Sequence, residues 1–215
     1  MAYINLDQQL VEQIAEHYKA IITLLGEDPN REGLVKTPIR AAKALLENTR
    51  GYNEDGGHYL RSAIFKHDDS QMVIVRDIEF YSLCEHHILP FFGTVSIGYI
   101  PDGEIVGLSK LGRVVDTCSR KLQVQERMTI ELCELISREL KNKGVIVVAR
   151  AQHLCMKMRG VEKQTAETVT MHYCGAFEDI NTRQEFLELI NKYRARRRLQ
   201  NLFCSCIIRE KAPFG

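Results

Sequence analysis

The sequence predicts an α+β fold, in which an antiparallel sheet carries helices on one side. Apolar residues recur at helical spacing near both ends of the chain, β-rich segments lie between them, and turn residues separate two of those segments. Strands and helices that alternate in groups, rather than one by one, are typical of α+β domains. With 215 residues, 45% of them hydrophobic, the chain is long enough to bury a substantial core.

Two helices are predicted in the first 50 residues. The first follows Asp7 and is ended by Gly26, and its apolar positions repeat every three or four residues: Leu10, Val11, Ile14, Tyr18, Ile21, Ile22 and Leu25. Thr37 is the predicted N-cap of the second helix, which has Pro38 at its first position and continues through Leu46. We therefore expect residues 1–50 to form an N-terminal helical segment.

The middle of the chain is predicted to contain most of the strands. The segments are 72–83, 94–100, 105–108, 145–156 and 165–173. The turn residues Pro101, Asp102 and Gly103 predict that the second and third segments form a hairpin.

Three further helices are predicted around these strands. Ser109 is the expected N-cap of the first, and a longer helix covers residues 124–143 and ends at Gly144. Thr182 and Glu185 form a capping box before the last helix. We expect one domain over residues 51–191, followed by an extension over residues 192–215.

Charge and cysteine content narrow the class of protein. The extension holds seven basic side chains and one acidic side chain, so it carries +6, and residues 1–191 carry −5. A basic end of this kind is more often a solvated terminus than a nucleic-acid contact, so we expect no nucleic-acid partner. The sequence shows no membrane span and no signal peptide, and its seven cysteines are an odd number. We therefore expect a cytoplasmic protein with reduced thiols and no membrane partner.

Two clusters about 70 residues apart carry cysteine and histidine side chains, which commonly bind metal ions. The first is Cys84-Glu85-His86-His87, and the second is His153-Leu154-Cys155. Thiols and imidazoles together favour zinc. Along a strand, Cys84 and His87 converge only if the chain turns there, whereas His153 and Cys155 are two residues apart and face the same side.

Three ligands, Cys84, His87 and Cys155, would leave a fourth position open for water, with His86 and His153 beside it. That arrangement is typical of a hydrolytic zinc site. The alternatives at this point are a closed zinc site, with Cys174 or a histidine as the fourth ligand, or plain buried cysteines.

Several charged side chains predict an anionic substrate. Ser109, Lys110 and Arg113 lie at the start of a predicted helix, where backbone N–H groups favour phosphate, and Arg159 and Arg40 add two guanidinium groups. Glu126, at the start of the long helix, could accept both N1–H and the exocyclic amine of guanine. Ordinary surface charges and a carboxylate favoured by the helix dipole are the alternatives.

Together these segments resemble the GTP cyclohydrolase I family over roughly residues 7–191. The motifs are Cys84-Glu85-His86-His87, Gly98-Tyr99-Ile100-Pro101, Gly107-Leu108-Ser109-Lys110, Gln123-Val124-Gln125-Glu126-Arg127, His153-Leu154-Cys155, Met158-Arg159-Gly160 and Thr182-Arg183-Gln184-Glu185-Phe186-Leu187. They occur in the family's order and spacing. Residues 192–215 extend beyond the family's usual end and have no family role.

The resemblance implies hydrolysis of GTP to 7,8-dihydroneopterin triphosphate and formate, the first step of tetrahydrofolate or tetrahydrobiopterin biosynthesis. It implies Zn²⁺ as cofactor, and roles that fall on these residues: metal ligands Cys84, His87 and Cys155; catalytic residues His153, His86 and Ser109; triphosphate ligands Lys110, Arg113, Arg159 and Arg40; and guanine-selecting residues Glu126 and Gln125. Glu85 is expected to orient a metal ligand from outside the ligand set.

The resemblance also implies the tunnelling fold, in which sheets of several subunits join into a barrel, and a homodecamer of two pentamers with sites between subunits. A regulatory protein partner is left open. Two rival functions remain: a nitrile reductase of the same fold, and a zinc-stabilised module that binds RNA through the basic extension. A zinc deaminase is disfavoured because the sequence lacks the Pro-Cys-x-x-Cys element of that class.

Overall fold

A computed structural model of the chain describes residues 7–192. The helices are α1 (Gln8–Leu24), α2 (Thr37–Asn48), α3 (Gly56–Arg61), α4 (Leu108–Ser119), α5 (Gln125–Glu139), α6 (Leu154–Lys157) and α7 (180–192), with 3-10 turns at Arg50–Asn53 and Ala176–Glu178. The strands are β1 (Ile64–Lys66), β2 (Val73–Cys84), β3 (Pro90–Pro101), β4 (Glu104–Val106), β5 (Leu122–Gln123), β6 (Asn142–His153) and β7 (Thr168–Gly175). The predicted basic extension, apart from Lys192, lies outside the described residues.

A five-stranded sheet forms the centre of the fold. Its order is β5-β2-β3-β6-β7, and every pair is antiparallel except β5 and β2, which are parallel. The predicted hairpin between 94–100 and 105–108 is wrong, because β3 pairs with β2 on one side and β6 on the other. Both edges of β3 are thus occupied, and β4 instead pairs with β1, with Ile64 opposite Val106.

The sheet is covered on both faces. On one face α4 and α5 pack over the main core, to which β6 contributes Val145, Val147 and Ala149. The alternate residues Ile146 and Val148 pack with Phe177, Phe186 and Ile190 in a second cluster. Because successive residues of a strand face opposite sides, α7 lies on the opposite face. The predicted arrangement with helices on one side is therefore correct for α4 and α5 and wrong for α7.

The boundary between α5 and β6 differs from the prediction. The predicted helix reaches residue 143, but α5 ends at Glu139, where the side chain of Asn142 donates to the carbonyls of Ser137 and Leu140 (3.1 and 2.7 Å). Gly144 does not end the helix but lies in β6. A Cβ atom at Gly144 would lie 2.6 Å from the backbone nitrogen of Ala176, so close backbone approach explains this glycine.

The helix caps were predicted with mixed success. Asp7 caps α1 as expected, since its carboxylate accepts from the backbone N–H of Gln9 (2.9 Å). Thr37 is instead the first residue of α2, with Pro38 in the first turn as predicted, and Ser109 lies inside α4, which begins after Gly107. In place of Thr182, Asp179 caps α7 by accepting from Thr182 N–H (2.9 Å).

The N-terminal helices form a separate small unit. Val11, Ala15 and Ala42 are buried between α1 and α2, apart from the core under the sheet. This grouping agrees with a helical segment at residues 1–50, although the division into domains stays a prediction. Across residues 7–192, every helix is too short or too polar to cross a membrane.

Candidate metal centre

A tight turn at the end of β2 brings two predicted ligands together. The strand ends at Cys84, whose carbonyl accepts from the N–H groups of His87 (3.2 Å) and Ile88 (2.8 Å). Cys84 N–H in turn donates to the Leu89 carbonyl (2.9 Å), and Ile88 has φ +53°. The turn places His87 Nδ1 3.8 Å from Cys84 Sγ, so the predicted convergence of these two side chains is confirmed.

The second cluster does not lie on one strand. β6 ends at His153, where Phe91 is its last partner residue on β3, and the chain then forms the short helix α6. Cys155 therefore lies on a helical turn, and the expectation that His153 and Cys155 extend from one strand is wrong. The register would place Leu154 opposite Pro90, which has no backbone N–H to donate to a further step of the ladder.

The helical turn brings Cys155 to the first cluster. The ligand atoms of Cys84, His87 and Cys155 all lie within 4.8 Å of one another, the one such group of histidine, cysteine and acidic side chains across residues 7–192. Atoms bound to a tetrahedral zinc at about 2.0–2.3 Å lie about 3.3–3.8 Å apart. Two sulfurs and one imidazole nitrogen fit zinc in type, the 3.8 Å between Cys84 Sγ and His87 Nδ1 matches this spacing, and three protein ligands leave one position of a tetrahedron open.

Electrostatics at the group also favour a cation. Burial raises the pKa of the Cys155 thiol, and the neighbouring Cys84 raises it further. Two thiolates side by side repel each other, and a divalent cation between them removes that repulsion. The group is thus arranged to hold a metal ion in preference to two bare thiolates.

The closed-site alternative with Cys174 as fourth ligand is wrong. The sulfur of Cys174, on β7, lies 3.4 Å from Ser137 Oγ on α5, away from the group. The imidazole of His86 is largely exposed, and its Nδ1 lies 3.9 Å from Cys84 Sγ. His86 therefore stands beside the ligand group, as the sequence predicts.

His153 is held from two sides at the edge of the centre. Its ring stacks on that of Phe91, with centroids 4.6 Å apart and planes 2° from parallel. Its Nε2 lies 2.9 Å from Gln125 Oε1. Burial lowers the pKa of His153, and the Glu126 carboxylate opposes that effect. An imidazole that is fixed beside the ligand group, rather than in it, suits proton transfer.

The amide of Gln125 faces the protein interior. The residue is 1% exposed, and Nε2 lies 3.1 Å from each of three acceptors: the carbonyls of Ala149 and Thr168, and Thr170 Oγ1. Two of these acceptors are carbonyls, so the amino group must point toward them and Oε1 toward His153. The sequence analysis did not predict this role. Helix geometry offered a signal, because neighbouring residues project about 100° apart, so Gln125 and Glu126 cannot both point toward the guanine site.

Two of the residues predicted to bind substrate lie close to the ligand group. Arg159 Nη1 is 3.4 Å from His87 Nε2, and Glu126 is exposed on the first turn of α5, near enough to His153 to affect its pKa. The structure thus brings together the three candidate ligands, His86, His153, Gln125, Glu126 and Arg159.

The other predicted site residues lie elsewhere on the subunit. Ser109, Lys110 and Arg113 are in the first half of α4, which follows β4 near Tyr99, and the far end of α4 leads to β5 beside Cys84. At about 1.5 Å per residue, about 9–15 Å of helix separates these three residues from the end of α4 that leads to β5. Arg40 is exposed on α2.

Comparison with known proteins finds a family model and relatives that match most of this chain. A family model described as GTP cyclohydrolase I matches residues 14–191. The chain is 56% identical to GTP cyclohydrolase 1 of Porphyromonas gingivalis over 187 residues, covering 87% of this chain and 97% of that protein. It is 56% identical to the Bacteroides fragilis protein of the same name over 182 residues, covering 85% and 94%. The Drosophila melanogaster protein is 48% identical over 185 residues, covering 86% and 57%.

Proposed function

This chain belongs to the GTP cyclohydrolase I family, and we propose that Cys84, His87 and Cys155 hold the zinc ion of its hydrolytic centre. The enzyme converts GTP and water to 7,8-dihydroneopterin triphosphate and formate, the first step of folate or pterin biosynthesis. The observation that carries the assignment of the centre is the convergence of two thiols and one imidazole from segments about 70 residues apart. Bound zinc supplies Lewis-acid activation of the attacking water.

His153 is the proposed general acid of ring opening. Hydrolysis at C8 of guanine requires a proton on the imidazole nitrogen that leaves, and His153 is fixed beside the ligand group by Phe91 and Gln125. A second hydrolysis releases C8 as formate. We assign Gln125 to positioning His153, because its buried amide is engaged by the protein.

His86 and Ser109 are proposed for the later proton transfers, which open the ribose, rearrange it and close the new ring. His86 is suited to this role because its imidazole is exposed beside the centre. Ser109 lies near the start of α4, where a nucleotide bound along the helix N-terminus would bring its ribose within reach.

Substrate recognition divides between base and phosphates. Glu126 accepts the two N–H groups on the Watson–Crick edge of guanine, which adenine cannot offer in the same arrangement. The triphosphate is bound by Lys110, Arg113, Arg159 and Arg40, whose fixed positive charges match its negative charge.

The separation of these residues within one subunit supports a site shared between subunits. Lys110 and Arg113 lie in the half of α4 remote from Cys84, so one copy of the chain supplies the metal ligands, Glu126 and Arg159, while another supplies Lys110 and Arg113. The exposed edge strand β7 offers a surface for sheet-to-sheet pairing in a barrel. We propose the tunnelling-fold homodecamer of two pentamers as the assembly that completes the site.

The experiment that tests this function measures zinc content and product together. Purified protein is expected to bind about one zinc per subunit and to convert GTP into formate and a pterin that fluoresces after oxidation. Removing zinc with a chelator should abolish both products, and adding zinc back should restore them. Zinc-independent turnover, or zinc binding without either product, would refute the proposal.

A further inference from the structure

Glu85 lies between two parts of the centre. One oxygen of its carboxylate accepts a hydrogen bond from Arg127 Nη2, and the other lies 3.8 Å from His86 Nε2. Arg127 is the third residue of α5. The side chain of Glu85 therefore connects the turn after β2 to the start of that helix.

Arg127 is itself anchored in the protein. Its Nε donates to Gln123 Oε1 (2.9 Å), and its Nη2 also donates to the carbonyl of Leu122 (3.3 Å). Gln123 is 1% exposed and donates to the carbonyl of Cys118 (3.1 Å) and to the carboxylate of Glu131 (2.9 Å). Although the Arg127 side chain is 44% exposed, these contacts hold its guanidinium against the protein.

The turn that Glu85 belongs to is weakly held by packing. Glu85, His86, His87 and Ile88 are all exposed, although His87 is a proposed zinc ligand and His86 a proposed catalytic residue. Beyond the turn's own hydrogen bonds, Glu85 N–H donates to the Gln123 carbonyl (3.1 Å). Contacts of the Glu85 side chain therefore contribute to where the two imidazoles lie.

We propose that Glu85 and Arg127 form a positioning clamp, which fixes the turn carrying His86 and His87 against the first turn of α5, where Gln125 and Glu126 lie. The clamp sets the distance between the zinc ligands and the residues proposed to bind guanine and to orient His153. This inference rests on the proposed function of the centre. Groups that orient metal ligands from outside the ligand set typically change metal affinity by about 10–100-fold when they are removed.

The test compares Glu85→Ala, Arg127→Ala and the double variant by competition for zinc with a chelator. Each single variant is expected to bind zinc about tenfold more weakly than the unchanged protein. The double variant should bind no more weakly than the worse single variant, because either change removes the same clamp. The unfolding midpoint of zinc-free Glu85→Ala should agree with that of the unchanged protein, whereas Arg127→Ala also loses its hydrogen bonds to Gln123 and Leu122 and should unfold somewhat more easily.

A matched control comes from an ion pair outside the centre. Arg31 and Glu27 are 2.9 Å apart and about half exposed, and Arg31→Ala should leave zinc affinity unchanged. If the unchanged protein binds no zinc, the proposed function fails. If it binds zinc but both single variants stay within about twofold of it, the clamp is wrong and the function stands. The clamp would also be overturned if the zinc-affinity losses of the two single variants multiplied in the double variant, or if zinc-free Glu85→Ala had a lowered unfolding midpoint.

Discussion

The two ends of the central sheet differ in polarity and in exposure, although strands β2, β3 and β6 run through both. At one end lie Tyr99 of β3 and Val145 of β6, close to the apolar cluster of Phe177 and Phe186. At the other end lie Cys84 of β2 and His153 of β6, with exposed imidazoles and a guanidinium around them. The first end is covered by α7, whereas His86 and His87 at the second end are exposed in the part of the chain that the structure describes.

This difference shows how one sheet separates stability from chemistry. Phe177 and Phe186 are fully buried, so the packed end contributes to folding through burial of apolar surface. The site end holds exposed polar groups, which water can hydrate and which remain accessible to an ion or a substrate. Changes at the site end should therefore affect zinc and turnover, whereas changes at the packed end should affect unfolding.

The largest effect is expected from Cys155→Ser. Losing one of three ligands should remove zinc and reduce turnover to background, because the remaining two side chains hold the ion poorly. His153→Ala should retain zinc and lower the rate of ring opening by about 10²–10⁴-fold, since it removes a general acid. Metal analysis and release of formate measure the two effects. Equal zinc loss in both variants would contradict the separate roles.

A large change in stability, with the site unaffected, is expected from Phe186→Ala. The side chain is fully buried and packs against Phe177, so the variant should lose about 3–5 kcal/mol of unfolding free energy. Urea unfolding measures the loss, and zinc affinity should stay the same. Leu189→Ala, on the same helix but 38% exposed, serves as the milder control. A parallel loss of zinc affinity in Phe186→Ala would show that the two ends are coupled.

A smaller change in rate is expected from Gln125→Met, which keeps the size of the side chain and removes its amide. The hydrogen bond to His153 is worth about 1–3 kcal/mol, which corresponds to a fall in kcat of about 5-fold to 160-fold. The KM for GTP and the zinc content should change little. If KM instead rises while kcat stays constant, Gln125 contacts the guanine directly, as the family resemblance implies.

The smallest effect concerns the packed end and depends on pH. Hydrogen bonds from Thr182 lower the pKa of Asp179, so the unfolded chain binds its proton more readily than the folded protein does. The stabilisation by Asp179 is complete above its ordinary pKa of 3.8 and is lost as pH falls through the lower folded value. Asp179→Asn keeps a capping side chain without this titration. Unfolding midpoints of both proteins between about pH 6 and pH 3 should differ most at the upper end. A constant difference would contradict the assignment.

Sequence patterns predicted best those features that depend on interactions between residues close together in the chain. Asp7 before a helical repeat, Pro38 in a first turn and the turn after Cys84 all depend on neighbouring residues, and all three appear in the structure. Local patterns failed where partners lie far apart in the chain. Pro101, Asp102 and Gly103 predicted a hairpin, but β6 occupies the edge of β3 that this hairpin would need.

The sequence by itself determined which side chains are suited to bind a metal, which carry charge that matches a triphosphate, and, through the order of its motifs, the family. Only the tertiary structure decided how those side chains are used. It placed Cys155 on a helical turn, directed Gln125 inward to His153, and set Lys110 far along α4 from Cys84. The reason is that residue type and spacing fix local geometry, whereas strand pairing and burial depend on contacts between distant parts of the chain.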